Sequence, residues 1–220
     1  MSNARTIVAQ AARIVGLAAV LSAATGSMVA FAATADAAPG APVAGHDGMH
    51  GNPAAAAPYW RYQQQDRDCG EMAVADVVGQ VTGQEPSENE ITAAAGNIPS
   101  VSHPGPIYRP GANTKNSDLP VLLAHYGVPA TAVHPNLDAL AHDLDQGRKV
   151  IVGLNDRILW NKSGDRSQEN HFVVVIGVDT SAHVVHLNDS GSAAGRDEQV
   201  SVATFEAAWQ TSDNFAVVTN

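Results

Sequence analysis

The chain has a single cysteine, Cys69, among 220 residues. An intramolecular disulfide is therefore excluded, and so is a thiolate metal cluster, which needs several cysteines at ligand spacing. Positive charge is also scarce, with 12 Lys and Arg against 22 Asp and Glu and a net charge of −10. Such a balance argues against a nucleic-acid partner, because clustered Lys and Arg supply most of that affinity. Basic peptides or cationic surfaces fit the charge, although solubility through net repulsion is the better account of it. Beyond residue 33 no apolar run approaches the roughly 20 residues needed to cross a bilayer. Internal repeats are absent and the nine histidines are scattered, so neither a metal nor any other cofactor is expected.

What the chain does have begins at its N-terminus. Arg5 and Arg13 precede or open an apolar stretch from Ile14 to Ala33, followed by small-residue cleavage options at Ala33-Thr34-Ala35 and Ala35-Asp36-Ala37. This is the pattern of a signal peptide over residues 1–37, which implies a secreted or cell-envelope location. The stretch is rich in Ala, Gly, Ser and Thr, a composition that favours cleavage over retention as an anchor, so no stable membrane span is expected afterwards. Loss of Arg5, Arg13 and Asp36 takes the net charge from −10 to −11. Residues 38–58 are mostly Ala, Pro and Gly and are expected to form a flexible tether, in which His46 and His50 read as solvated polar residues. The remaining segment, 59–220, is long enough for one domain with one core.

Within that domain the helical signals come first. Apolar positions recur at helical spacing over residues 69–82, with Asp68 as N-cap and Gly83 as stop. Ser87-Glu88-Asn89-Glu90 is a capping box opening a second helix, Ser117 is placed to cap a third, and a fourth runs from Leu137 to Gln146. The second half is different. Lys149 to Leu154, His171 to Val178, His183 to Leu187 and Phe215 to Thr219 are short runs rich in Val and Ile, with a hairpin turn at Asp179-Thr180-Ser181-Ala182. Thr204 is expected to cap a short helix containing Phe205 and Trp209. Helices early and an antiparallel sheet late make an α+β domain. The long Pro- and Gly-rich stretch between Asn97 and Asn116 is expected at one lip of a cleft, with residues 161–168 as a second candidate.

Cys69 opens the first helix, where backbone N–H groups and the helix dipole favour a thiolate. It is the candidate nucleophile, and Gly70 beside it leaves room for a substrate backbone. The alternative is a small buried hydrophobe, which free cysteines often are. A thiol nucleophile needs a base, and His171, at the first position of its strand, is best placed; His183 and His186 are competitors. Asp189 ends the next strand, so a tight turn between the two brings it near His171, ready to orient the imidazole.

Taken together, Gln63, Asp68-Cys69-Gly70, His171-Phe172-Val173-Val174-Val175-Ile176-Gly177 and Leu187-Asn188-Asp189 resemble the papain-fold peptidases that remove double-glycine leaders from bacteriocins, and their secreted relatives. The resemblance implies a papain-like cysteine peptidase fold, with Cys69 as nucleophile, His171 as base, Asp189 as orienter and Gln63 as a side-chain donor to the oxyanion. Gln64 and Gln65 compete with Gln63 for that last task. The expected activity is hydrolysis of a peptide or related amide bond through a thioester at Cys69, with a peptide or protein as substrate. Acyl transfer of the transglutaminase or NlpC type and a catalytically silent binding module are the alternatives.

Overall fold

The computed structural model describes residues 48–220, so the expected signal peptide over 1–37 and the start of the expected tether lie outside the described residues. The chain enters through a short strand, β1 (Met49–Gly51), and a helical turn, α1 (Pro53–Ala56). Three helices follow, α2 (Cys69–Thr82), α3 (Glu88–Ala95) and α4 (Leu119–His125). Then come β2 (Ala130–Val133), α5 (Leu137–Asp145), β3 (Val150–Leu154), α6 (Asp156–Leu159) and β4 (His171–Asp179). The chain closes with β5 (Val184–Asn188), β6 (Glu198–Ser201), α7 (Val202–Trp209) and β7 (Ala216–Thr219).

The strands form one antiparallel sheet in the order β2-β7-β3-β4-β5-β6. β3 pairs with β4 over residues 171–175, and β1 takes its place along residues 177–179. β4 is buried from His171 to Val178 because helices cover both faces of the sheet. Phe172, Val174 and Ile176 pack with α2, α3 and α4, whereas Val173 and Val175 pack with α5 and α7. A strand buried on both faces has no polar side, which is why its sequence is nearly continuous Val and Ile. The sheet register shifts between Val175 and Gly177, a bulge that bends β4 near the middle of its pairing with β5.

Several expectations need correction. Residues 49–58 are not a flexible tether: β1 is hydrogen-bonded to β4, Asn188 Nδ2 donates to the Ala56 carbonyl, and His50 Nδ1 is 2.7 Å from Asp145. Ala, Pro and Gly fit here because the chain runs close to the sheet; a Cβ on Gly51 or Gly177 would stand 2.8 Å from the Ile176 carbonyl or 2.6 Å from Pro53, respectively. Asp68 does not cap α2 with its side chain; both carboxyl oxygens are buried and accept nothing from helix amides. The cap of α7 is Ser201, which accepts from the Thr204 amide, so the helix begins earlier than expected. Ser117 lies in a 3-10 turn ahead of α4, and the neighbouring Asp118 carboxylate instead holds Ser100 and Val101 of the long loop. The capping box of Ser87 and Glu90 is present, and Gly83 closes α2 in the left-handed conformation at φ 76°.

Candidate active site

α2 packs across β4, and the first residues of the two elements meet: Cys69 begins the helix and His171 begins the strand. The His171 Nε2 atom lies 2.8 Å from Asp189 Oδ1. With Nε2 committed to the carboxylate, Nδ1 is the ring nitrogen left for Cys69, which lines the same cleft. The hairpin of β4 and β5 produces this approach, since Val174 pairs with Asn188 and the residue after Asn188 reaches back toward the start of β4.

Burial alone disfavours the His171 imidazolium, yet its pKa is raised well above the usual histidine range. The Asp189 charge and hydrogen bond, with smaller contributions from Cys69, outweigh the desolvation. Asp189 is fully buried and rigidly held. Its Oδ1 also accepts from the Gly191 amide at 2.8 Å, its carbonyl accepts from Trp60 Nε1 at 2.6 Å, and its amide donates to the Gly195 carbonyl. The Trp160 ring lies against His171 with centroids 5.3 Å apart and shields one side of the imidazole.

Gln63 enters the same cleft. Its amide donates to the Ser190 carbonyl, its Oε1 accepts from Ser190 Oγ, and its Nε2 donates to the Gln65 carbonyl at 3.2 Å. Gln64 is exposed and turns back on Tyr62, while Gln65 accepts from Tyr108, so of the three glutamines only Gln63 lines the cleft with Cys69 and His171. The cleft, about 460 Å³, is polar and carries charges of both signs: Arg67 and Arg157 offset Asp66 and Asp156. The competing histidines are elsewhere. His183 sits in the β4–β5 turn at φ 56°, and His186 is 2.7 Å from Asp197.

The long loop before α4 contributes Asn113 to the cleft, whereas residues 161–168 do not line it and are tied back by Asn155 Nδ2 to the Asp165 and Gln168 carbonyls. Gly70 serves packing rather than substrate access: a Cβ there would meet Thr114 at 2.9 Å and Leu119 at 3.2 Å. Beneath the start of α2 lies a group of carboxyls. Burial, reinforced by a hydrogen bond and charge from Glu88 and by the charge of Glu71, pushes Asp68 up to about 8. A proton on Asp68 lets one of its two unpaired oxygens donate to Glu88. Glu71, also buried, is pushed up to about 7 by desolvation and accepts from Thr114 Oγ1 at 2.5 Å.

Sequence reasoning missed Trp160, Gly191 and Arg157 as parts of this cleft, and Trp60 as the residue that holds the Asp189 carbonyl. Gly191 follows Asn188-Asp189-Ser190, which also reads as an ordinary turn, and the tryptophans carry no local signal because their partners are far along the chain.

Comparison with known proteins agrees with the fold. Uncharacterized proteins of Mycobacterium tuberculosis strain H37Rv and of Mycobacterium bovis are 46% identical over 196 residues, covering 78% of this chain and 84% of theirs. A crystal structure from Bacillus anthracis described as a C39-like peptidase superposes with a TM-score of 0.60 at 18% identity, covering 78% of this chain and 97% of that one. The peptidase domain of the Streptococcus ComA transporter gives 0.51 at 15% identity, covering 73% and 96%. These likenesses establish a papain-like α+β fold with an antiparallel sheet. The model of the Peptidase_C39-like family matches residues 56–217, and the chain belongs to that family.

Proposed function

We propose that this protein is a cysteine peptidase that cleaves a peptide amide bond through a thioester on Cys69, with His171 as base and Asp189 as orienter. The observation that carries the reading is the His171 ring, held by Asp189 through Nε2 in the cleft that Cys69 also lines. The Cys69 thiol gives its proton to His171 Nδ1, and the sulfur attacks the substrate carbonyl carbon. The carbonyl π pair moves onto oxygen. Gln63 Nε2 has a second N–H beyond the one used by Gln65, and it and the Cys69 amide are the donors for that oxyanion. The first amides of a helix have no acceptor within it, which leaves the Cys69 N–H available. Collapse expels the amine, which takes the proton from His171; water then attacks the thioester carbonyl as His171 accepts its proton, the C–S bond breaks to release the acid, and His171 returns the proton to the Cys69 sulfur.

Support for a peptide substrate is the family together with the cleft. The cleft balances two arginines with two aspartates, so the acidic character of the whole chain is not concentrated at Cys69. Export through residues 1–37 is part of the same proposal, supported by Arg5, Arg13 and the apolar stretch that ends at Ala33. The test is incubation of the purified protein with a diverse peptide mixture, read by mass spectrometry. Hydrolysis products that vanish with Cys69→Ala and His171→Ala support the proposal. Products carrying an added amine instead of water overturn hydrolysis in favour of acyl transfer, and undiminished cleavage by Cys69→Ala overturns the whole reading.

A further inference from the structure

Asp189 has two carboxylate oxygens, and only one is accounted for. Oδ1 accepts from His171 and from the Gly191 amide, but Oδ2 is buried without any N–H or hydroxyl donor. Two more buried polar atoms nearby share this condition, Glu198 Oε2 and Trp160 Nε1. All three belong to one cluster. Glu198 is the first residue of β6, paired opposite Leu187 two positions before Asp189, so its carboxyl faces the Asp189 carboxyl, with the Trp160 indole beside them. Leaving two facing carboxylate oxygens unpaired in one buried site is costly, whereas a single proton on Glu198 turns their repulsion into a hydrogen bond. Glu198 then donates to Asp189 Oδ2.

We propose that Glu198 is a positioning residue for the catalytic group, fixing Asp189 through a shared proton. This rests on the peptidase reading above. The result is a chain from Glu198 through Asp189 to His171, with the Trp160 ring lying against His171 at its end. The charged groups around Glu198 agree. Desolvation, then the charge and hydrogen bond of Asp189, push its carboxyl up to about 7, and Trp160 and His171 only partly offset this. Further charges around this group are Asp197, next in sequence and paired with His186; Lys162, whose Nζ sits 4.0 Å above the Trp160 ring; and Arg196, which lies over the Trp60 ring. None of these supplies a donor to Asp189 Oδ2.

The experiment compares wild type, Glu198→Gln and Glu198→Ala by the rate of Cys69 alkylation with iodoacetamide across a pH range spanning neutrality, and follows the Glu198 carboxyl carbon by NMR. Gln donates to Asp189 with its amide nitrogen and does not titrate. It is expected to retain the alkylation rate within about threefold and to lose a pH inflection near neutrality that the wild type shows, while Ala lowers the rate about tenfold or more. The Glu198 carbon is expected to titrate near neutral pH and to move toward the ordinary carboxylate range in Asp189→Asn. Equal losses in the Gln and Ala variants, or a Glu198 carbon titrating like a free glutamate, overturn the proposal. If His171→Ala alkylates as fast as wild type, the peptidase reading fails instead, and the carbon shift still decides the shared proton independently.

Discussion

Gly191 lies against the edge of the His171 ring: a Cβ at position 191 would stand 2.8 Å from His171 Cε1 and 3.0 Å from the tip of Trp160. Neither ring can swing away, because His171 is bonded to Asp189 and Trp160 is packed on His171. The same residue sends its amide to Asp189 Oδ1, so backbone and missing side chain together set the imidazole. Gly191→Ala is therefore expected to displace the ring and lower both turnover and Cys69 alkylation by about tenfold to a hundredfold. The thermal midpoint should fall only modestly, since the residue sits at the cleft surface. Kinetics paired with a melting curve check this, and an alanine variant with wild-type rates would mean that the ring is not held as described.

The buried carboxyls make stability depend on pH in a definite direction. Desolvation is the main cause that raises Asp68 to about 8 and Glu71 and Asp76 to about 7, all above their values in an unfolded chain. Between the unfolded and folded values the native state binds more protons than the unfolded state, so stability is full below about pH 4 for these groups and is lost as pH rises through 7 and 8. The melting temperature is expected to be higher at pH 5 than at pH 8, by about 2 °C or more, the shift that roughly 1 kcal/mol produces in a domain of this size. Asp68→Asn, which keeps a donor toward Glu88 without titrating, should flatten part of the slope. A melting temperature that rises over this interval would contradict the protonation of these groups.

The parts of the fold legible in the sequence are those whose signals are local. α2 has helical spacing with a glycine just past its end, and β4 is a run of Val and Ile too long and too apolar for an exposed strand. β2 and β6 escaped notice because Ala130-Thr131-Ala132-Val133 and Glu198-Gln199-Val200-Ser201 are edge segments of modest strand propensity. Their pairing with β7 and β5 makes them strands. At the site, Cys69, His171 and Asp189 each announce themselves by position at the end of an element, so their convergence follows from one helix and one hairpin. Choosing Gln63 over its two neighbours required the loop's path, and Trp160 and Glu198 are joined to Asp189 only by tertiary packing.

Residues 49–58 form part of the folded domain, and their loss has a measurable cost. β1 supplies hydrogen bonds to the far half of β4, and Pro53 sits on Gly177 with its ring 2.6 Å from where a Cβ would be. A chain beginning at Tyr59 would lose these contacts, expose the edge of β4 and leave Asn188 without its Ala56 acceptor. We expect such a chain to be less stable by about 2 kcal/mol or more than one beginning at Gly48, given the number of buried backbone groups left unpaired. Urea denaturation of the two chains measures the difference, and equal midpoints would restore the tether reading.

Glu71 stands two residues after the cysteine, yet it points away from the cleft, fully buried, with Thr114 Oγ1 donating to it. Its carboxyl ties α2 to the long loop that carries Asn113 to the cleft, so the residue links fold stability to the shape of one lip. At neutral pH the group is substantially protonated, and Gln offers the same shape with a carbonyl to accept from Thr114. Glu71→Gln is expected to change stability by less than about 1 kcal/mol and to reduce its pH dependence. Glu71→Ala leaves a cavity and an unpaired buried hydroxyl, for an expected loss of about 2–4 kcal/mol. Because the loop is then released at Thr114, the alanine variant should also raise the KM for a cleaved peptide more than it lowers kcat. A stable alanine variant with unaltered KM would show that the loop reaches the cleft without this tie.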